Sequence, residues 1–321
     1  MKKLVLVISV IALMTALSFA AAGSSSGVFL KNGIGARAVG MGDTGTAIAN
    51  DGNSVFWNPG GSALLDAKAI SIGGIMWNAP LAKDDKPTSM SSLFSVGAGV
   101  PFGMAAINLG LLYNSYGNDM IKTDKDGNKD GTFGASDMGI FLGGGYKVND
   151  NIGVGINSKI LSFTIDSESA SSFAVDAGMK YKEISKGLDL GATVKNIGSK
   201  VSFSDDGGSL PMELNLGAAY TALSFADTAG VHNFITALDF GYGLSDSVMK
   251  VNIGLEYGLR EMVFFRLGYR VSPGTVSANT FSAGIGGQLA ISETKIGIDL
   301  AFLPQSQNLG NKTIFSVGAR F

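Results

Sequence analysis

The sequence has no cysteine and a single histidine, His232. The lack of cysteine excludes disulfides and a lipid-modified N-terminal cysteine. One histidine without cysteine leaves few soft ligands for zinc, copper or iron. His232 opens a predicted strand, where it is better suited to an interfacial position than to activating a nucleophile. We therefore predict that the protein is not an enzyme and requires no cofactor.

Charged residues and long apolar runs are also scarce. Charged residues make up 16% of the chain, below the ~25% of a typical soluble domain. The net charge of −2 gives no sign of nucleic-acid binding. Mean hydropathy is nevertheless +0.27, and beyond the N-terminus no apolar run reaches the ~18 residues of a spanning helix. A closed β-barrel is the other structure that satisfies its backbone in lipid.

The N-terminus has the pattern of a cleaved secretory signal peptide. Lys2 and Lys3 are followed by a mostly apolar run over residues 4–17 and by three alanines at 20–22. The run is shorter than the ~20 residues that cross a bilayer, so a cleaved signal is favoured over an anchor helix. The predicted organisation is a signal peptide (1–22), a plug or hatch (23–66) and a transmembrane β-barrel (67–321).

From about residue 67 onwards, apolar side chains alternate with small or polar ones in segments of roughly ten residues, which is typical of a barrel wall. In residues 251–257, for example, four apolar side chains alternate with Asn252, Gly254 and Glu256. The charged residues share the inward parity, whereas Arg or Lys facing lipid would cost ~2–4 kcal/mol near the midplane. They are Asp176, Lys180, Asp189, Lys195, Asp239, Glu256, Arg266, Arg270, Asp299 and Arg320.

A soluble β-sandwich alternates in the same way. The signal pattern, the 46 glycines and the aromatic strand ends favour the barrel. Counting segments predicts about fourteen antiparallel strands, an all-β fold in the outer membrane with lipid around it. Short connections near 148–150 and 258–260 are predicted as periplasmic turns. Longer polar connections, predicted as external loops, lie near 79–89, 116–134, 203–209, 224–230 and 303–309.

The last predicted strand carries an apolar face that ends in Phe321. A terminal aromatic residue on a closing amphipathic strand resembles the signal that bacterial barrel-assembly machinery reads. That machinery is therefore an expected partner, and Phe321 is the residue it would recognise.

Residues 23–66 do not alternate, and their small residues and turn formers suit a compact hatch inside the lumen. The run G-A-R-A-x-G-M-G-x-x-x-T-A-I-A, followed by W-N-P-x-G, resembles the N-terminal signature of the PorV/PorQ family, which belongs with the FadL-type barrels. Gly60 stands where that family usually has alanine. The matching positions are Ala47, Ala49, Asp51, Ser54, Asn58, Pro59 and Gly61.

The resemblance implies a fourteen-stranded barrel with an N-terminal hatch. For function it implies one of two activities. The protein would pass hydrophobic small molecules across the outer membrane, or it would serve type IX protein secretion by binding cargo or machinery through its external loops.

Individual lumen residues have two interpretations each. Arg37 in a hatch is expected to pair with an inward-facing acid, because buried charges need partners, although contact with a ligand carboxylate is an alternative. Phe141, Phe264 and Ile314 have inward parity. They would line an apolar pocket for a hydrophobic molecule or pack against the hatch.

One external loop has oxygen-bearing side chains at alternate positions, the spacing found in calcium loops. Gly131 would supply the sharp turn, but an aspartate stands where a bidentate glutamate is usual. The flanking segments are predicted strands, so a solvated loop without metal is the alternative. The candidate calcium ligands are Asp126, Asn128, Asp130, Thr132 and Asp137.

Overall fold

The computed structural model describes residues 25–78, 91–203, 206–227, 230–272, 280–305 and 310–321. The predicted signal peptide at 1–22 lies outside these ranges. In the described part of the chain, fourteen antiparallel strands close into a barrel, and two further strands form a separate hairpin. No helix among the described residues is long and apolar enough to cross a membrane.

The strands follow the alternating segments of the sequence. They are β1 (Ala69–Asn78), β2 (Ser91–Phe102), β3 (Ala105–Ser115), β4 (Met120–Thr123), β5 (Lys129–Phe133), β6 (Ala135–Lys147), β7 (Ile152–Ile165), β8 (Glu168–Ser185), β9 (Leu188–Gly198), β10 (Glu213–Asp227), β11 (Gly230–Gly243), β12 (Met249–Leu259), β13 (Val263–Val271), β14 (Thr280–Ile291), β15 (Thr294–Pro304) and β16 (Asn311–Arg320). All except β4 and β5 belong to the barrel.

The wall has an apolar outer face and a polar inner one. In β12, Ile253 and Leu255 on the outer face are 45% and 46% exposed, whereas Glu256 on the inner face is 4% exposed. Exposed apolar residues such as Leu267 and Ile298 continue this outer face on other strands. Because such a surface is stable only against hydrocarbon, the outer face is the one that contacts lipid.

The barrel has two distinct ends. We call the end where β1 begins and β16 finishes the terminal end, and the opposite end the loop end. The connections 148–151 and 260–262 lie at the terminal end, as expected for short turns. The prediction of a long, external loop near 224–230 is wrong in both its length and its location. β10 runs to Asp227 and β11 starts at Gly230, so this connection is short and lies at the terminal end.

The predicted loop at 116–134 contains structure of its own. β4 and β5 pair with each other outside the barrel sheet, and β3 pairs directly with β6. The hairpin therefore connects β3 to β6 at the loop end without separating them. The sequence did not predict it, because its mostly polar residues form no apolar face.

The barrel closes between its first and last strands. β1 pairs with β16 in an unbroken register from Ala69 opposite Arg320 to Asn78 opposite Asn311. Beyond it, Phe321 and Lys68 exchange backbone hydrogen bonds of 2.9 and 3.0 Å, while the Phe321 side chain is exposed. Recognition of Phe321 by assembly machinery stays a prediction.

Residues 25–66, which we call the hatch, lie inside the lumen. Their helices are a 3₁₀ turn (Val28–Lys31), α1 (Ala36–Gly40), α2 (Gly45–Ile48), α3 (Ser54–Trp57) and α4 (Pro59–Ser62). The helices contact different arcs of wall: α1 packs on β13 to β16, α2 on β9 to β11, α3 on β2 and β3, and α4 on β6 to β8. The hatch therefore reaches the wall on all sides.

Glycine lets the hatch backbone approach the wall backbone. A Cβ on Gly268 of β13 would stand 2.0 Å from the backbone nitrogen of Gly42 in the hatch. A Cβ on Gly191 of β9 would likewise stand 2.3 Å from the carbonyl oxygen of Thr46. Because no side chain fits in these gaps, part of the high glycine content is explained by the fit of the hatch inside the barrel.

Candidate functional site

An arginine of the hatch is held by a glutamate of the wall. Arg37 Nη2 and Nε donate to the two carboxylate oxygens of Glu256 at 2.8 and 2.9 Å. Glu256 also accepts from Arg266 Nε at 2.6 Å, and Arg266 Nη1 reaches Asp299 at 2.7 Å. This network, which we call the latch, connects α1 to β12, β13 and β15. It satisfies the buried charges, because each member has at least one partner of opposite sign.

Asn58 joins the hatch to itself and to the wall. Its Nδ2 donates to the carbonyl oxygens of Thr46 and Met179 at 2.8 and 2.9 Å. Its Oδ1 accepts from Gly60 N at 3.0 Å, which caps the start of α4. The side chain is fully buried. The amide therefore uses both donors and its acceptor at the junction of α2, α4 and β8.

The other motif residues shape the hatch locally. Asp51 Oδ1 accepts from Asn53 N at 2.8 Å, and Ser54 Oγ accepts from Asp51 N at 3.2 Å, so this pair forms the turn before α3. Ala47 is buried beneath β9 and β10. Pro59 begins α4, and a Cβ on Gly61 would stand 2.5 Å from the carbonyl oxygen of Ala49. The motif specifies how the hatch folds.

An apolar seam runs between the hatch and the wall strands β3, β6 and β7. Phe56 of α3 meets Phe141 of β6 edge to face, with ring centroids 5.1 Å apart, and Lys159 Nζ lies 5.0 Å from the centroid of the same Phe141 ring. A narrow cavity of about 20 Å³ opens here, bordered by Leu30, Ile34 and Trp57. Ile314 is buried in the same apolar core. Phe141 and Ile314 therefore pack against the hatch rather than lining a large pocket.

A larger cavity of about 390 Å³ lies on the loop-end side of the hatch. We call it the loop-end vestibule. Its lining includes the cations Lys31, Lys195, Lys250, Arg270 and Lys312 and the carboxylates Asp43, Glu213 and Asp239.

Most of these charges are paired with each other. Lys250 binds Glu213 at 2.7 Å, and Arg270 binds Asp43 of the hatch. Asp239 Oδ2 accepts from Thr46 N at 2.8 Å and so fixes the start of α2. The loop-end side of the hatch is thus attached to the wall through polar groups.

The cavity on the other side of the hatch, the terminal-end vestibule, has a volume of about 430 Å³. Arg320 Nη2 donates a hydrogen bond to the carbonyl oxygen of Asn50 there, and Arg320 Nη1 lies 3.6 Å from Asp66 Oδ1. Phe264 lines the same cavity, with the Arg266 guanidinium 5.3 Å from its ring centroid. Both vestibules are therefore polar, and the hatch separates them.

A buried ion pair lies in the wall at the point where the pairing of β8 with β9 shifts register. Lys159 binds Asp176 at 2.7 Å, with both side chains fully buried. Asp176 also accepts from Asn196 N at 2.7 Å, at the bulge where the β8–β9 register shifts between Val175 and Ala177. Asp176 is therefore a structural residue of the wall.

The five predicted calcium ligands are not brought together. Asp126, Asn128, Asp130 and Thr132 are exposed on the β4–β5 hairpin, whereas Asp137 lies in β6, where its carboxylate accepts from the Tyr116 hydroxyl at 2.7 Å. Asp130 and Thr132 alternate along β5 and so share one face of that strand, which does not surround an ion. Among the described residues, no group of acids and histidine could hold a metal. Calcium binding by this loop stays a prediction, which a calcium titration would test.

His232 belongs to an aromatic cluster on the outer face, near the terminal end. It stacks on Phe225 with centroids 4.6 Å apart, and its Nδ1 lies 2.7 Å from the Tyr257 hydroxyl. Polar aromatic groups of this kind suit the level of lipid headgroups.

Sequence reasoning missed several charged residues of the lumen. Lys159 has the inward parity of its strand, and Lys312 has the parity of Ile314, so extending the alternation would have found both. Asp43 could not be found in this way, because it lies in the hatch, which has no period. Glu213 and Lys250 lie at strand starts, where alternation is weakest.

The closed barrel, its lipid-facing belt and its lumenal hatch define the protein as an outer-membrane β-barrel of the kind that carries an N-terminal plug. No protein-family model matches the sequence, and no curated protein matches it. Solved structures do match.

The chain resembles the toluene transporter TodX of Pseudomonas putida, with a TM-score of 0.58 and 12% identity over 90% of this chain and 98% of that one. It also resembles the toluene transporter TbuX of Ralstonia pickettii, with a TM-score of 0.60, 12% identity and coverage of 90% and 98%. For CymD, a monoaromatic hydrocarbon channel, the TM-score is 0.62, with 12% identity and coverage of 90% and 97%.

At this identity the likeness is one of fold, and it agrees with the fourteen-stranded outer-membrane barrel expected from the sequence. The three proteins are transporters or channels and not enzymes. The narrower resemblance of the hatch motif to the PorV/PorQ family stays a prediction.

Proposed function

We propose that the protein is a gated channel that passes small hydrophobic molecules across the outer membrane, with the hatch as the gate. The apolar seam between the hatch and strands β3, β6 and β7 carries this proposal. It adjoins the loop-end vestibule, since Leu30 and Trp57 border both cavities. A hydrophobic molecule that reaches the vestibule would find an apolar continuation there.

The seam is too small to hold a molecule while the hatch stays in place. Its cavity measures about 20 Å³, whereas pockets that bind small molecules have about 300–1,000 Å³. Passage therefore requires part of the hatch to move away from the wall. The likeness to toluene transporters and a monoaromatic hydrocarbon channel supports toluene as a first test substrate.

Of the two interpretations of Phe141, Phe264 and Ile314, a pocket lining or packing against the hatch, the geometry favours packing for Phe141 and Ile314. Phe141 and Ile314 are buried against the hatch, and Phe264 borders a vestibule with Arg37 and Glu256. We therefore propose that the transported molecule contacts apolar side chains at the seam when the hatch moves away from the wall.

The first experiment measures uptake of radiolabelled toluene by cells with and without the protein in their outer membrane. We expect faster uptake with the protein. Equal uptake at toluene concentrations that limit entry would contradict the proposed substrate class.

The second experiment tests the gate with a disulfide, since the chain has no cysteine of its own. A Cβ on Gly99 of β2 would stand 3.7 Å from Ser62 Cβ in α4, within the ~3.5–4.5 Å of disulfides. Leu65 Cδ1, the end of a flexible side chain, must shift to make room. We expect oxidised S62C/G99C to lose toluene uptake and a reductant to restore it. Each single-cysteine variant is a control, and full uptake by the oxidised protein would contradict gating by this part of the hatch.

The secretion hypothesis rests on the hatch motif alone. The motif residues described above contact the hatch and the wall, and they are not at the outer surface of the loops. We therefore favour the channel, and purification from native membranes with bound protein partners would favour secretion instead.

A further inference from the structure

The loop-end vestibule has more positive charge than its carboxylates neutralise. Lys31 is paired with Asp246 at 2.5 Å, Lys250 with Glu213 and Arg270 with Asp43. Lys195 and Lys312 have no carboxylate within ion-pair distance among the residues that the structure describes. The one remaining carboxylate of the lining, Asp239, is directed to the hatch at Thr46 N.

Each of the two lysines lies beside an ion pair that is already complete. Lys195 is directly across the β9–β10 ladder from Glu213, whose carboxylate binds Lys250 instead. Lys312 borders the same cavity as the pair of Arg270 and Asp43. At both places the nearby carboxylate is therefore already paired with another cation, and the lysine has no acid partner of its own.

Both ammonium groups are held by aromatic and amide groups in place of an acid. Lys195 Nζ lies 5.6 Å from the centroid of the Trp57 ring. Lys312 Nζ lies 4.7 Å from the Trp77 ring centroid and donates to Asn32 Oδ1 at 2.9 Å. The two tryptophans of the chain thus fix the two lysines by cation–π contact. Such contacts leave each positive charge available to an anion.

Unpaired buried atoms are concentrated in the same place. Five buried side-chain polar atoms lack a hydrogen-bond partner in the described residues, and three of them belong to this lining. They are Asp43 Oδ1, Asp239 Oδ1 and Arg270 Nε. Buried polar atoms are rarely left unpaired, and of these three Arg270 Nε is the donor that an anion bound in the vestibule would engage.

We propose that the loop-end vestibule binds a small organic monocarboxylate, with Lys195 and Lys312 as the groups that attract its carboxylate. A pure hydrocarbon would gain nothing from these charges. A cavity of about 390 Å³ falls within the range of small-molecule pockets, and an aromatic acid could place its ring towards the apolar seam beside Trp57. This inference deepens the proposed channel function, because it names the molecules that the loop end would select.

The test measures binding of benzoate to the full-length protein in detergent micelles by calorimetry, in a buffer without carboxylates. We expect binding that weakens with added salt, since exposed charges are screened. The variant K195Q/K312Q should bind at least about tenfold more weakly, as expected when charge-assisted hydrogen bonds are lost. The variant K195R/K312R keeps both charges and should retain binding.

Lys295→Gln is the matched control. It removes one lysine charge from the terminal-end vestibule, on the opposite side of the hatch, and should leave benzoate binding unchanged. Folding of each variant is checked by its heat-dependent shift in electrophoretic mobility. If K195Q/K312Q does not fold, the two single variants, K195Q and K312Q, provide the comparison.

Three results would overturn the inference: unchanged benzoate affinity in K195Q/K312Q, equal weakening in K295Q, or binding of inorganic phosphate as tight as that of benzoate. The outcome is separable from that of the channel proposal. Toluene uptake without benzoate binding would contradict only the vestibule site. Benzoate binding without toluene uptake would contradict only the hydrophobic channel.

Discussion

At the scale of single residues, Glu256 binds both Arg37 and Arg266, and each arginine has one further acceptor. Arg37 also reaches Asn50 Oδ1 at 3.0 Å, and Arg266 also reaches Asp299. Removing the glutamate therefore affects both arginines, but removing Arg37 leaves Glu256 paired with Arg266. The latch is asymmetric in this sense.

We expect Glu256→Gln to lower the free energy of unfolding by about 3 kcal/mol, because it leaves buried charge uncompensated. Arg37→Met should cost roughly half as much, since Glu256 keeps Arg266. Urea unfolding in micelles, followed by the fluorescence of Trp57 in a Trp77→Phe background, measures both. Equal losses in the two variants would contradict the asymmetry.

Asn58 stabilises the hatch through the positions of its hydrogen-bond donors and acceptor and not through charge. Asn58→Asp keeps the shape but replaces two donors by an acceptor facing the carbonyls of Thr46 and Met179. We expect a loss of about 3 kcal/mol or more, since two buried carbonyls lose their partners. Asn128→Asp on the exposed hairpin makes the same chemical change and should alter stability by less than about 0.5 kcal/mol. Unfolding in urea compares the two.

At the scale of elements, the hatch packs against the wall largely through backbone. Gly268 tests this directly, because its Cβ would stand 2.0 Å from Gly42 N, whereas a Cβ on Gly287 of β14 would meet nothing nearer than Met262 O at 4.0 Å. We expect Gly268→Ala to displace α1, and Gly287→Ala to leave it seated.

Limited proteolysis of residues 25–66 measures that displacement. Cleavage of the hatch in Gly268→Ala should be faster than in Gly287→Ala by at least about tenfold, because a steric conflict of this size is resolved only by moving one backbone away from the other. Similar cleavage rates would show that the contact does not position the hatch.

The β4–β5 hairpin has a pH-dependent turn outside the membrane. The amides of Asn128 and Asp126 donate to Asp124 Oδ1, each at 2.9 Å. These bonds favour the carboxylate, so the pKa of Asp124 lies below its usual 3.8. Because the pKa is lowered on folding, the turn has its full stability above about pH 4 and loses it as the pH falls through the folded pKa.

Hydrogen exchange of the Asn128 amide measures this loss. Exchange, corrected for its intrinsic pH dependence, should accelerate once Asp124 is protonated. Asp124→Asn should exchange at a rate that no longer responds to pH in this window. An unchanged profile in the variant would show that another group controls the turn.

At the scale of the whole molecule, the hatch is what keeps the lumen closed. Deleting residues 25–66 leaves a fourteen-stranded wall lined by glycine and charged groups. Barrels of sixteen to eighteen strands have aqueous channels, and we expect the shortened protein to conduct ions in planar bilayers while the full-length protein conducts little. Equal conductance would place the seal elsewhere in the chain.

The barrel was predictable from sequence, because every strand has one face in lipid and the other in the polar lumen. Apolar and polar side chains therefore alternate along each strand. Residues such as Ile253 and Glu256 show their faces without any knowledge of the fold. The vestibules were not predictable, because they arise where the aperiodic hatch meets strands far away in sequence. Arg37 and Glu256 are 219 positions apart, and nothing local to either residue identifies its partner.

The path of the hatch through the lumen constrains how the barrel is assembled. Ser26 N donates to Ser209 O at the loop end, whereas Asp66 approaches Arg320 at the terminal end, so the segment crosses the full height of the wall. Because its two ends are fixed at opposite ends of the barrel, we expect this segment to lie along the inner face before β1 and β16 meet. Closure of the last ladder then encloses the hatch. A slowly folding hatch is therefore expected to delay closure of the full-length protein, although the wall alone can close without it.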